Sequence, residues 1–150
     1  MRACRIEFMI RNHKLLAFLF TTTTFFAGCG VGVDVLTGPS AVIGGVWKLQ
    51  SLEAAGGGAA VAVNRPENYT VEFRDGGALA VKADCNTCSG TYSIAGSSLT
   101  IGTLACTRAF CGAASLDTAF LAVVTNATSF GVLGVDLTID SPKGSARLNR

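Results

Sequence analysis

Four cysteines, Cys85, Cys88, Cys106 and Cys111, fall within one stretch of this 150-residue chain. It reads Asp84-Cys-Asn-Thr-Cys-Ser-Gly-Thr-Tyr92, then a polar turn, then Leu104-Ala-Cys-Thr-Arg-Ala-Phe-Cys111. No other feature limits the fold as strongly, because four cysteines allow only three pairings and each pairing fixes which segments must meet. Gly90–Ile94 and Leu99–Leu104 flank the turn Ala95-Gly-Ser-Ser98, the pattern of a hairpin. Residues facing each other across that turn have numbers summing to about 193, so Cys88 and Cys106 lie opposite one another. A disulfide wants Cα atoms about 5.5 Å apart, which facing strands supply. Cys85 and Cys111 are left for each other. The expected bridges are therefore nested, Cys88–Cys106 inside Cys85–Cys111. The outer loop would be worth on the order of 3 kcal/mol in the chain-entropy account.

Two other chemistries compete for the same residues. Zinc would use Cys-x2-Cys with Cys-x4-Cys, but the second spacing departs from the usual knuckle. Thiol redox chemistry would use Cys85-Asn-Thr-Cys88, but reactive pairs of that form sit at a helix N-terminus. Here the motif runs into a strand pattern.

The compartment favours disulfides. Met9–Lys14 is basic, Leu15–Phe26 is largely apolar, and Ala27-Gly28 are small. That is the layout of a secretory signal over residues 1–28, and its apolar run of about 12 residues is shorter than the roughly 20 a membrane-spanning helix needs. Phe26-Ala-Gly-Cys29 resembles a bacterial lipobox, which makes Cys29 the lipidation site and the membrane a partner through that anchor. Gly30 after the cysteine resembles outer-membrane sorting, with the domain facing the periplasm or the exterior. Met9 is a second candidate start, because residues 1–8 add an acidic residue and a cysteine that such a signal does not need. Residues 29–45, rich in glycine, read as the lipidated cysteine and a flexible tether, with Ala41–Ile43 as an alternative edge strand.

Charge excludes nucleic acid as a partner. Arg2, Arg5, Arg11 and Lys14 against Glu7 account for more than the whole net charge of +2, leaving about −1 beyond residue 28. The remaining cations are scattered, whereas phosphate binding needs them clustered. Histidine chemistry is excluded as well. The single histidine is His13, inside the signal, so Ser-His and Cys-His nucleophiles and imidazole ligands have no source in the mature chain. No pair of carboxylates stands out as an acid/base couple. The expectation is a non-enzyme without cofactor or metal.

From residue 46 the chain reads as strands. Val46–Leu52, Tyr69–Phe73 and Ala78–Ala83 alternate, and Asp75-Gly-Gly77 marks a hairpin between the last two. Ala54–Ala60 reads as a loop. Ser115–Asn126 changes period, with Leu116, Phe120 and Val123/Val124 on one face and Ser115 as the cap. Phe130–Leu133, Val135–Ile139 and Ala146–Leu148 return to strands. The fold class is mainly β (α+β): a small bent antiparallel sheet or barrel-like meander, with one helix packed against it or plugging it. Trp47 and Phe73 read as core.

These motifs together resemble the META domain, the HslJ-like family of envelope proteins. The residues that carry the likeness are Trp47-Lys-Leu, Tyr69-Thr-Val-Glu-Phe, Asp84-Cys-Asn-Thr-Cys-Ser-Gly-Thr-Tyr, Leu104-Ala-Cys-Thr-Arg-Ala-Phe-Cys and the helix with Phe120. The resemblance covers 46–149 and implies a compact barrel-like domain of the envelope, linked to stress or drug tolerance or motility, with no catalytic residues to carry over. Asp84 stands where the family usually has glycine. Cys88 and Cys106 stand where many members have other residues, which makes the inner bridge a subgroup addition. The expected role is structural, binding or stress-protective, by a monomer with an envelope-protein or small-molecule partner. The alternatives are a small-ligand or protease-inhibitor-like module, using Ala54–Ala60 or Asn64–Asn68 as its surface, and a thiol-disulfide or zinc site.

Overall fold

The structure, a computed structural model, describes residues 38–150. The signal segment, the start at Met9, Cys29 and the first part of the tether lie outside the described residues.

The alternating segments form strands because every second side chain is apolar and can be buried on one face. In chain order they are β1 (Val46–Ala54), β2 (Val61–Ala62), β3 (Tyr69–Phe73), β4 (Ala78–Ala83), β5 (Asn86–Ala95), β6 (Ser98–Ile101), β7 (Ala105–Cys106), β8 (Ser129–Leu133), β9 (Asp136–Ser141) and β10 (Gly144–Asn149). A short helix, α1 (Pro39–Val42), precedes them, and α2 (Asp117–Thr125) stands between β7 and β8. Every strand pairing is antiparallel. The sequence β1-β3-β4-β5-β6-β8-β9-β10 returns to β1 through a register running from Lys48↔Asn149 to Ala54↔Gly144, so the sheet closes as an eight-stranded barrel. Closure leaves no long free edge on the ring.

The interior is filled. Trp47, Leu49, Val71, Phe73, Leu99, Val132, Leu137, Ile139 and Leu148 have essentially no exposed surface. Tyr92 meets Phe73 edge-on at 4.9 Å, and its hydroxyl donates to the Arg74 carbonyl at 3.0 Å. α2 contacts β4, β9 and β10. Since β4 and β9 stand on opposite walls of the ring, the helix lies across the barrel mouth. Phe120, Val123 and Val124 face inward from it, and the Phe120 ring meets Tyr69 edge-on at 5.9 Å.

Several boundaries differ from the sequence reading. Packed residues begin before Val46: Ala41 and Val42 are buried, Ile43 bridges to Phe73, and the Trp47 indole Nε1 donates to the Val42 carbonyl at 2.7 Å. The Ala54–Ala60 loop is bounded by a longer β1 and by β2, which takes the edge of β1 that β3 has left. Ser115 does not cap α2. Leu116 occupies that position, and the Ser115 hydroxyl accepts from the Asp117 N–H at 3.2 Å, one residue earlier than a cap would act.

The hairpin arithmetic holds with one shift. Tyr92↔Ile101 and Ala95↔Ser98 follow the turn, but Cys88 pairs with Cys106 one residue out of step. The extra residue is absorbed where the chain leaves β6 and rejoins β5 as β7. Gly90 lies under that crossing. A Cβ there would stand 2.6 Å from Leu104 Cδ2 and 2.7 Å from the Thr103 carbonyl, so a larger residue would displace backbone.

Candidate functional site

The barrel mouth beside α2 carries the Cys85–Cys111 stretch, and its organising residue is Asn86. This side chain is 4% exposed, the single buried polar residue among the described residues. Its Oδ1 accepts from the Ala109 N–H at 2.8 Å and from the Thr107 hydroxyl at 3.0 Å. Its Nδ2 donates to the Ala109 carbonyl at 3.0 Å, with Cys111 Sγ at 3.2 Å and Asp117 Oδ2 at 3.3 Å. A buried amide is tolerated because all its capacity is used. Thr107 completes the attachment: its N–H donates to the Thr87 carbonyl, and its hydroxyl accepts from the Thr87 N–H, both at 3.0 Å.

Two disulfides clamp the same segment at its ends. Cys88–Cys106 joins facing positions on β5 and β7, with Cα atoms 4.0 Å apart. Cys85–Cys111 joins the β4–β5 turn to the approach to α2, with Cα atoms 5.5 Å apart. The nested pairing expected from the hairpin is the pairing in the structure. Cys88 is buried and Cys85 exposed. With all four sulfurs in disulfides there is no Cys85–Cys88 bond, and no thiolate is left for a metal or for exchange.

Between the clamps the chain alternates. Thr107 and Ala109 are tied to Asn86, while Arg108 and Phe110 have no such tie and are exposed, Phe110 at 88%. Among the described residues no hydrogen bond engages Arg108, neither its N–H nor its carbonyl. Beside the loop lies an open groove of about 630 Å³, bordered by Leu104, Asp117 and Leu121. On the other side of the outer bridge a second groove of about 470 Å³ is bordered by Arg65, Asn68, Tyr69 and Ser115. Its floor is fixed by the Tyr69 hydroxyl, which accepts from the Leu116 N–H at 3.0 Å.

Asp84 opens the two-residue turn from β4 to β5 with φ 57°, the one non-glycine residue with positive φ among the described residues. That is the position where such hairpins take glycine. It is held by its N–H, which donates to the Asn68 carbonyl at 2.7 Å, and by a long contact from Asn68 Nδ2 at 3.4 Å.

Among the described carboxylates, Glu72 forms the one ion pair, to Arg74 at 2.7 Å on the surface. The hydrogen bond from Arg74 lowers the Glu72 pKa and raises that of Arg74. The site thus presents a loop fixed at both ends by disulfides and from beneath by Asn86. Asn86 and Thr107 belong to it although the sequence reading did not single them out. Their trace in the sequence is their place in the Cys-Asn and Cys-Thr-Arg motifs that carry the family likeness, which says nothing of their mutual contact.

A family model described as the META domain matches residues 40–149. Among solved structures, a protein from Burkholderia xenovorans determined by NMR is similar at 21% identity and a TM-score of 0.62, over 86% of this chain and 98% of that one. A second NMR structure is similar at 19% identity and a TM-score of 0.60, over 76% and 95% of the two chains. Both likenesses concern the fold. Among curated proteins none matches this chain.

Proposed function

Because this chain belongs to the META domain family, we propose that it is an exported, non-enzymatic envelope lipoprotein that acts by binding and contributes to stress tolerance. Cys29 is its lipid anchor, the outer membrane its location, and the monomer its working form. The observation that carries this reading is the doubly stapled loop on a filled barrel. Disulfides persist outside the reducing cytosol, which supports export. An interior packed with Trp47, Phe73 and the inward leucines leaves a small ligand no room within the ring, which supports a surface contact over carriage. The clamps and Asn86 hold a chemically inert display in place, which suits a binding role more than catalysis. The META resemblance supports the stress-protective part.

Metabolic labelling with an alkyne fatty acid tests the anchor directly. The native chain should take up label and fractionate with outer membrane, and Cys29→Ala should lose both. Native protein that is unlabelled and soluble in the periplasm would overturn the lipoprotein reading. A deletion strain that grows like its parent under heat and envelope stress would overturn the stress role.

A further inference from the structure

The loop Cys106-Thr-Arg-Ala-Phe-Cys111 has the build of a substrate that cannot leave. We infer that it is a recognition loop for a trypsin-like serine peptidase, inserting Arg108 into the peptidase's acidic primary pocket and acting as a substrate-like inhibitor. This rests on the binding role proposed above and names its partner class.

Four observations meet at the Arg108–Ala109 peptide bond. First, Arg108 is exposed on the stapled segment, at the edge of the groove beside it. A guanidinium is the group that a carboxylate-floored specificity pocket selects. Second, the Arg108 N–H and carbonyl make no hydrogen bond among the described residues. Those are the groups a peptidase must engage, the carbonyl in its oxyanion hole. Third, the residues on both sides are pinned from beneath by one buried side chain. Asn86 holds the Thr107 hydroxyl before the bond and the Ala109 N–H and carbonyl after it. Fourth, both ends are covalently closed, at Cys106 and at Cys111. Such a loop loses little conformational freedom on docking, the chief advantage of a preorganised binder. Exposed Phe110, two residues past Arg108, adds apolar contact on the departing side.

The same pinning explains why cleavage would not proceed. If the peptidase serine attacks the Arg108 carbonyl, an ester to the serine oxygen forms and the Arg108–Ala109 C–N bond breaks. The serine proton passes through the peptidase histidine to the Ala109 nitrogen. In an ordinary substrate that amine diffuses away and water takes its place. Here Asn86 and the Cys111 bridge hold Ala109 in position, so the amine re-forms the amide ahead of hydrolysis. Asn86 is thus a positioning residue.

The test uses the oxidised full chain, titrated against pancreatic trypsin and against chymotrypsin with small chromogenic substrates. The expected result is one-to-one loss of trypsin activity with chymotrypsin spared. Arg108→Ala, on an exposed side chain, should weaken inhibition at least about 30-fold, the scale of an interface hot spot, while Arg108→Lys retains it. Asn86→Ala should turn the inhibitor into a substrate, cut between Arg108 and Ala109 as read by mass spectrometry. Thr107→Val should move the same way if the Asn86 variant fails to fold. Trypsin left fully active at molar excess, or prompt cutting of the native loop without an inhibitory phase, would overturn the proposal. The assay needs no anchor or membrane, so its failure is separate from failure of the lipoprotein reading.

Discussion

At the scale of the residue, Asp84 and Asn86 flank Cys85 and play opposite parts. Asp84 sits at φ 57°, where an L side chain crowds its own backbone and glycine does not. Its compensation is small, since the Asn68 contact is long and the backbone bond to Asn68 needs no side chain. Asp84→Gly should therefore stabilise the domain by on the order of 0.5 kcal/mol, the strain relieved less the freedom glycine gains when unfolded. Urea midpoints at constant slope would show it, and a lower midpoint for the glycine variant would refute it. Asn86 was illegible for a different reason. Burial of a polar side chain follows no period, and its partners Thr107, Ala109 and Asp117 lie twenty residues and more away.

At the scale of the element, legibility followed strand length. β3, β4 and the turn Asp75–Gly77 were readable because alternation over five or six residues has a face to declare. β2 and β7, each of two residues, have no pattern at all. They exist because a neighbouring strand has departed and left backbone groups to satisfy. α2 was legible from its apolar stripe, but its first turn was not, since Leu116 takes the cap position through the Tyr69 hydroxyl rather than through a local side chain. The two bridges differ in access, which sets the order in which they open. Graded dithiothreitol under native conditions should first expose Cys85 and Cys111 to alkylation, with Cys88 and Cys106 protected until the barrel yields. Simultaneous labelling of all four would contradict this. Each bridge taken singly is worth about 3 kcal/mol, so the singly reduced form should remain folded on the inner bridge.

At the scale of the whole molecule, the filled interior carries one titratable group with a shifted pKa, Tyr92. Burial, with a smaller contribution from the Asp75 charge, raises its pKa above the ordinary 10.0. The folded state therefore holds this proton more tightly than the unfolded chain does. Its contribution to stability is complete below pH 10.0 and is lost as pH rises through the folded-state value. Chemical denaturation from pH 8 to about pH 11 should show a declining midpoint at the alkaline end. Tyr92→Phe should flatten that decline, and an equal decline in both proteins would remove Tyr92 as its source. Barrel closure was the part of the architecture least open to sequence reasoning. Pairing of Lys48 with Asn149 joins positions separated by nearly the whole domain and leaves no local mark on either strand.

That closure has a further consequence for how the domain comes into being. β1 emerges early from any ribosome or translocation pore, and β10 emerges last among these strands. Until Asn149 is out, β1 has one long side without its partner, and Trp47 lacks the Arg150 guanidinium that lies 4.5 Å over its ring. The ring therefore cannot lock until β10 is available to pair with β1. Such late, long-range pairing makes for slow folding, and it leaves β1 with an unpaired edge until the last strand of the ring arrives.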